Sequence, residues 1–170
     1  MKKVLSLLLA LVMVIGLLPL SAMNASAAEE SATIALTDKT ATRVSYSTTQ
    51  QVWQQNGITL TNNKGGSSSN VGDYAPLRLY QSSEVIIEAS GKTITKIEFT
   101  CNSYKSNYPA DLQKSIGSAA TVTVSGKVVT AVLAAPTEAF TFTLAKQVRL
   151  DSMTVYYTEA GGSEGGDTPA

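Results

Sequence analysis

Phe140-Thr141-Phe142-Thr143-Leu144 alternates apolar and polar residues without a break, and a period of two is the mark of a strand with one buried face. Phe140, Phe142 and Leu144 should therefore face a core, with Thr141 and Thr143 turned outward. The same short period recurs along most of the chain. Thr33–Leu36 is an opening strand, and Trp53 with Ile58–Leu60 forms a second segment broken by the turn pair Asn56-Gly57. Leu77–Tyr80, Glu84–Ala89 and Ile94–Cys101 follow, with Ser90-Gly91-Lys92 turning the chain. Thr121–Val124, the turn Ser125-Gly126-Lys127 and Val128–Leu133 make the clearest hairpin, and Val148–Tyr157 closes the series. Short strands, polar turns and almost no helical periodicity predict an all-β fold, a β-sandwich of jelly-roll-like topology. One short helix is predicted at Ala110–Ile116, where Leu112 and Ile116 stand at i and i+4 before Gly117, capping one mouth of the sandwich.

Two strands share a finer pattern. Ile94, Ile97, Phe99 and Cys101 are spaced 3, 2, 2, and so are Leu150, Met153, Val155 and Tyr157. A step of three in a two-residue period requires a bulge or bend, within 94–97 and within 150–153. The shared pattern suggests equivalent places in the two sheets.

The ends of the chain say where it goes. Lys2 and Lys3 precede an apolar run from Val4 to Leu18, Pro19 breaks it, and Ala25-Ser26-Ala27 offers the small residues a signal peptidase requires. Residues 1–27 thus read as a signal peptide cut after Ala27, with Ala28 the neighbouring option. The run is short for a bilayer span of about 20 residues, so no membrane span is expected after cleavage. The protein is expected to be secreted or on the cell surface. Residues 28–159 have the size of one domain, and residues 160–170 have the Gly/Ser-rich composition of a flexible linker leading towards a further domain. Cys101 is the only cysteine, so no intrachain disulfide forms; its phase with Ile97 and Phe99 makes it a buried thiol.

Composition removes several function classes. There is no histidine, and Lys plus Arg balances Asp plus Glu at 13 each. With Lys2 and Lys3 lost, the remainder is slightly acidic and carries no basic stripe for a phosphate backbone, so no nucleic-acid partner is expected. Asp73, Glu84, Glu88, Glu98, Asp111, Glu138 and Asp151 are scattered singly, with Glu84 and Glu88 read as a solvated edge, so no catalytic carboxylate pair is predicted. Neither catalytic residues, nor a cofactor, nor a transition-metal site is expected. Asp73 with Asn70 and loop carbonyls is weighed as a structural calcium site against a turn residue bonding its own backbone.

The polar stretch Asn62–Tyr74 is rich in glycine and serine. Lys64 precedes Gly65-Gly66 instead of following them, and a strand instead of a helix comes next, so it is no phosphate loop. It reads as an exposed, mobile crossover loop with Tyr74 at its exit, with a binding loop as the sharper alternative. Seven tyrosines outnumber three phenylalanines. Trp53 and Tyr157 read as packing. Tyr74, Tyr104 and Tyr108, with the amides of Asn102 and Asn107, come from two long loops and are the candidate ligand-binding residues, a shelf for stacking sugar rings at one end of the sandwich.

Three blocks carry a resemblance: Trp-x-x-Asn-Gly-Ile at Trp53–Ile58, Arg78-Leu79-Tyr80, and Val148-Arg149-Leu150-Asp151-Ser152-Met153. Over residues 32–158 the chain resembles an uncharacterised β-sandwich module that recurs near the N-terminus of large secreted proteins of Gram-positive anaerobic bacteria. The resemblance implies an accessory, non-enzymatic role at the cell surface and supplies no catalytic residues. The expected function is adhesion or targeting, with polysaccharide or a cell-surface glycan as partner. The alternatives are a structural spacer presenting a downstream enzyme and, least favoured, a small secreted hydrolase.

Overall fold

The computed structural model describes residues 28–159; the expected signal peptide and linker lie outside them. The described residues form strands β1 (Glu30–Ala35), β2 (Arg43–Tyr46), β3 (Gln50–Gln55), β4 (Ile58–Asn63), β5 (Leu77–Leu79), β6 (Glu84–Ala89), β7 (Lys92–Cys101), β8 (Ala120–Ser125), β9 (Val128–Thr137), β10 (Ala139–Thr143) and β11 (Val148–Glu159). Two helices join them, α1 (Lys39–Thr42) and α2 (Tyr108–Ile116). One sheet has the order β1-β11-β7-β9-β8, with β5 also paired to β11; the other has the order β10-β6-β4-β3-β2. Every pairing among them is antiparallel. The fold is an all-β sandwich. Its path changes sheet at β1–β2, β4–β5, β5–β6, β6–β7, β9–β10 and β10–β11, and stays within one sheet through β2–β4 and through β7–β9.

Alternation builds the core as the sequence predicts. Phe140, Phe142 and Leu144 are buried while Thr141 and Thr143 are exposed. Phe142 meets Phe99 of the facing sheet edge-on, with ring centroids 6.0 Å apart at 80°, so the aromatic contact joins the two layers. Trp53, Leu60 and Ile87 fill one side of this core, and Ile97, Met153 and Val155 fill the other. Between β3 and β4 the chain reverses at Asn56 and Gly57, with φ of 53° and 76°. Positive φ at both positions is what a two-residue hairpin turn matching strand twist demands, hence Asn-Gly. Helix α2 begins earlier than predicted, at Tyr108, and buries Leu112 and Ile116 against the sandwich end before Gly117 stops it.

Both expected bulges are present. In the β7–β11 ladder Tyr156 faces Lys96 while Tyr157 faces Ile94, so Thr95 is the additional residue. At the other end Leu150 faces Cys101 while Ser152 faces Thr100, so Asp151 is additional. All eight apolar residues of the two 3, 2, 2 patterns are buried. Their placement corrects the expectation of equivalent positions in two sheets: β7 and β11 are neighbours in one sheet. The spacing reports each strand's own phase and carries nothing about its partner. At Asp151 the outer flank of β11 also changes hands. Ala35 of β1 faces Ser152, Leu77 of β5 faces Leu150, and Leu36 N–H donates to the Asp151 carbonyl at 2.9 Å.

Two elements lacked a sequence signal that we read. Strand β2 is mostly exposed, so no alternation marks it. Helix α1 is a single turn capped by Asp38, whose carboxylate accepts from Thr40 N–H and Ala41 N–H at 3.0 and 3.1 Å. The view of Glu84 and Glu88 as a solvated edge is also corrected, because β6 lies between β10 and β4. Their carboxylates stand on the outer face of an interior strand, where Glu84 accepts from Asn63 at 3.0 Å. Cys101 is buried and free, and burial, helped by the Asp151 charge, pushes its thiol up to about 12, so it stays protonated and inert.

Candidate functional site

Loops converge at the end of the sandwich where β11 begins. The stretch from Lys64 to Pro76 is laced down more firmly than the expected mobile loop. Lys64 N–H donates to the Thr49 carbonyl at 2.7 Å, Gly66 N–H to Ser82 at 3.0 Å, and Val71 N–H to Thr48 at 2.8 Å. Within it Ser67 and Val71 are buried. These bonds satisfy backbone groups that a free loop would leave to water. Asp73 is held by Lys39 at 3.0 Å and by Arg43, while Asn70 accepts from Lys64 at 3.1 Å. The two do not share a cation site, and Asp73 does not serve as a turn residue closed on its own backbone. Among the described residues no group of three or more His, Cys, Asp or Glu gathers as a metal centre would need.

Arg43, and after it Lys39, hold the Asp73 carboxyl below its ordinary value through hydrogen bonds. A lowered carboxylate stabilises the fold above its unfolded value, near about 4, and the contribution is lost as pH falls through the lowered folded value. Thermal melts of the protein and of Asp73→Asn should therefore differ by a constant amount above about pH 5 and converge in stronger acid. Curves that stay parallel down to about pH 2 would show that the pairs contribute no acid-labile stability.

Tyr74 and Tyr104 are exposed, by 43% and 64%, and each lies on an arginine. The Arg78 guanidinium is 3.9 Å from the Tyr74 ring centre, and that of Arg149 is 4.0 Å from the Tyr104 ring centre. Arg78 and Arg149 are directly opposite each other in the β5–β11 ladder, on the outer face. The strands thus bring two rings from separate loops to one row, Tyr74–Arg78–Arg149–Tyr104. Gly72 permits this on one side, since a Cβ there would overlap the Tyr74 ring. On the other side Asn102 sets the loop: its side chain donates to Asp151 at 2.7 Å and accepts from Tyr104 N–H at 2.9 Å. Its amide thus positions Tyr104, while its second N–H is left without a partner among the described residues at the half-buried surface.

Tyr108 is a further correction. It is 1% exposed, because it opens α2 and the amphipathic turn of that helix carries it inward with Leu112. It cannot offer a ring face to a ligand at the surface. Tyr108 underlies a cleft of about 350 Å³ between the serine-rich loop, the end of β5 and α2, and its buried hydroxyl has no hydrogen-bond partner among the described residues. Tyr80, Lys105, Asn107, Lys146 and Gln147 also line that cleft. Asn107 is thus at the site, with its amide donating to Asp111. Tyr80 joins cleft to row, its hydroxyl 3.4 Å from Arg78 Nη1.

Arg78, Arg149, Tyr80, Lys105 and Lys146 were missed by the sequence reading. The signal was there in part: Arg78 and Arg149 are each the outward residue between two apolar ones, Leu77/Leu79 and Val148/Leu150. The knowledge that those two strands pair was missing. No protein-family model, curated protein or solved structure matches this chain.

Proposed function

We propose that this chain is a secreted, non-catalytic β-sandwich module for adhesion or targeting at the cell surface, and that it binds glycans at the loop-bearing end. The reading includes its kinship with the N-terminal accessory modules of large secreted proteins of Gram-positive anaerobes. The exposed pair Tyr74 and Tyr104 is the observation that carries it. Each ring has one face on an arginine and is partly exposed to solvent, the arrangement that pyranose stacking uses. The adjoining cleft adds hydroxyl and amide groups for sugar hydroxyls. The burial of Tyr108 favours the second reading, a structural spacer, because it removes one of three rings from the expected shelf.

Polysaccharide pull-down separates them. Tyr104→Ala should weaken retention about fivefold, the loss of roughly 1 kcal/mol of stacking, with an unchanged melt. Tyr156→Ala, on a ring outside the row, should leave retention unchanged. A protein retained by no polysaccharide supports the spacer.

A further inference from the structure

We propose that Arg78 and Arg149 form a paired anion site, so that the glycan bound at this end is an acidic polysaccharide, its carboxylate or sulfate seated between Tyr74 and Tyr104. The inference rests on the glycan-binding reading and names the ligand class. Like charges directly opposite in an antiparallel pair repel, and a fold has no use for such a pair on grounds of strand stability. Among the described residues the ion pairs are Lys39–Asp73, Arg43–Asp73, Lys92–Glu159 and Lys96–Glu98, so neither Arg78 nor Arg149 has a carboxylate partner. Both Nε atoms are buried and lack a hydrogen-bond acceptor. The tyrosine rings screen the guanidiniums from water on their flanks without neutralising them.

Two planar donors carried by directly opposite residues suit the oxygens of a carboxylate or sulfate, which accept two parallel bonds from one guanidinium. Lys105 and Lys146 line the neighbouring cleft, extending positive charge along the path a chain would take. The cleft also holds one carboxylate, Asp111, which accepts from the Asn107 amide, against the two lysines. Arg78, Arg149, Lys105 and Lys146, none of them in an ion pair among the described residues, thus adjoin the exposed Tyr74 and Tyr104 or the cleft beside them.

Binding of the protein to polygalacturonate and chondroitin sulfate, each beside its carboxyl-reduced or desulfated counterpart, tests the proposal. The acidic chains should bind about tenfold more tightly, and Arg78→Gln or Arg149→Gln should bring the acidic chains to the level of the neutral chains bound by the same variant. The chain has three arginines, so the Nε–H signals of Arg78 and Arg149 can be followed in the unsubstituted protein against Arg43 as internal reference. They should shift on adding polygalacturonate or chondroitin sulfate while Arg43 stays still. Equal binding of acidic and neutral chains with unmoved arginine signals overturns the anion site and leaves the stacking reading standing. Binding to none of the chains overturns both.

Discussion

A chain lacking Thr154 is expected not to fold, whereas a chain lacking Asp151 is expected to keep a cooperative melt. Both remove one residue from β11. The difference comes from phase. Leu150 and Met153 are three apart because Asp151 bulges out of the β7–β11 ladder, and without it their spacing becomes the regular two. Asp151 removal gives up the Asn102 bond and the Leu36 junction but turns no apolar side chain outward. Removing Thr154 leaves Met153 and Val155 adjacent, so one half of the strand must direct its core residues to water. Turning Val155 and Tyr157 outward alone costs about 1.5–3 kcal/mol for each, and β11 is bonded to β1 and β7 over that same half. Against a total stability of about 5–15 kcal/mol the loss is decisive. Circular dichroism melts and amide signal dispersion read the outcome. A well-dispersed spectrum from the chain lacking Thr154 would refute the phase argument.

Trp53→Ala is expected to cost about 3–5 kcal/mol, in the range of large aromatic truncations in a packed interior. Trp53 is fully buried on β3 opposite Leu60, with the Arg43 guanidinium 6.0 Å from its ring centre. For a domain of this size the melting temperature should fall by roughly 10–20 °C. Trp53→Phe should lose much less. The indole Nε1 has no hydrogen-bond partner, so exchanging it for a phenyl ring removes a buried unpaired donor while keeping most of the packing. Denaturant melts of the two variants should therefore separate clearly. Equal losses would mean that the indole nitrogen is satisfied in solution.

The fold was largely legible because its information is local. Alternation in Phe140–Leu144, the Asn56-Gly57 turn and the two three-residue steps each depend on neighbours in sequence, and each is found where expected. Strand β2 was illegible for the complementary reason, since an exposed edge strand needs no alternation. The candidate site is less local. Tyr74 and Tyr104 were identified as loop rings, but what holds them together is the β5–β11 pairing that sets Arg78 opposite Arg149. Strand pairing over 71 positions of sequence leaves no trace in either strand alone. Tyr108 was misplaced by a boundary: read as the end of a loop it looks exposed, and read as the first residue of α2 it turns inward.

The register of β11 has a mechanical consequence. Glu30 at the start of β1 lies opposite Tyr157, so the two described chain ends leave side by side, and Tyr157 is about 27 Å along β11 from Arg149. Tension applied between those two ends would peel β1 from β11 one hydrogen bond at a time, an unzipping that resists little force. Tension applied between the Arg149 end and Glu159 runs instead along the length of β11. That strand is bonded to β1 and β5 on one flank and to β7 on the other, so the bonds on both flanks are strained together in shear. A module gripped at its loop-bearing tip and tethered through the end of β11 is loaded along its strong axis.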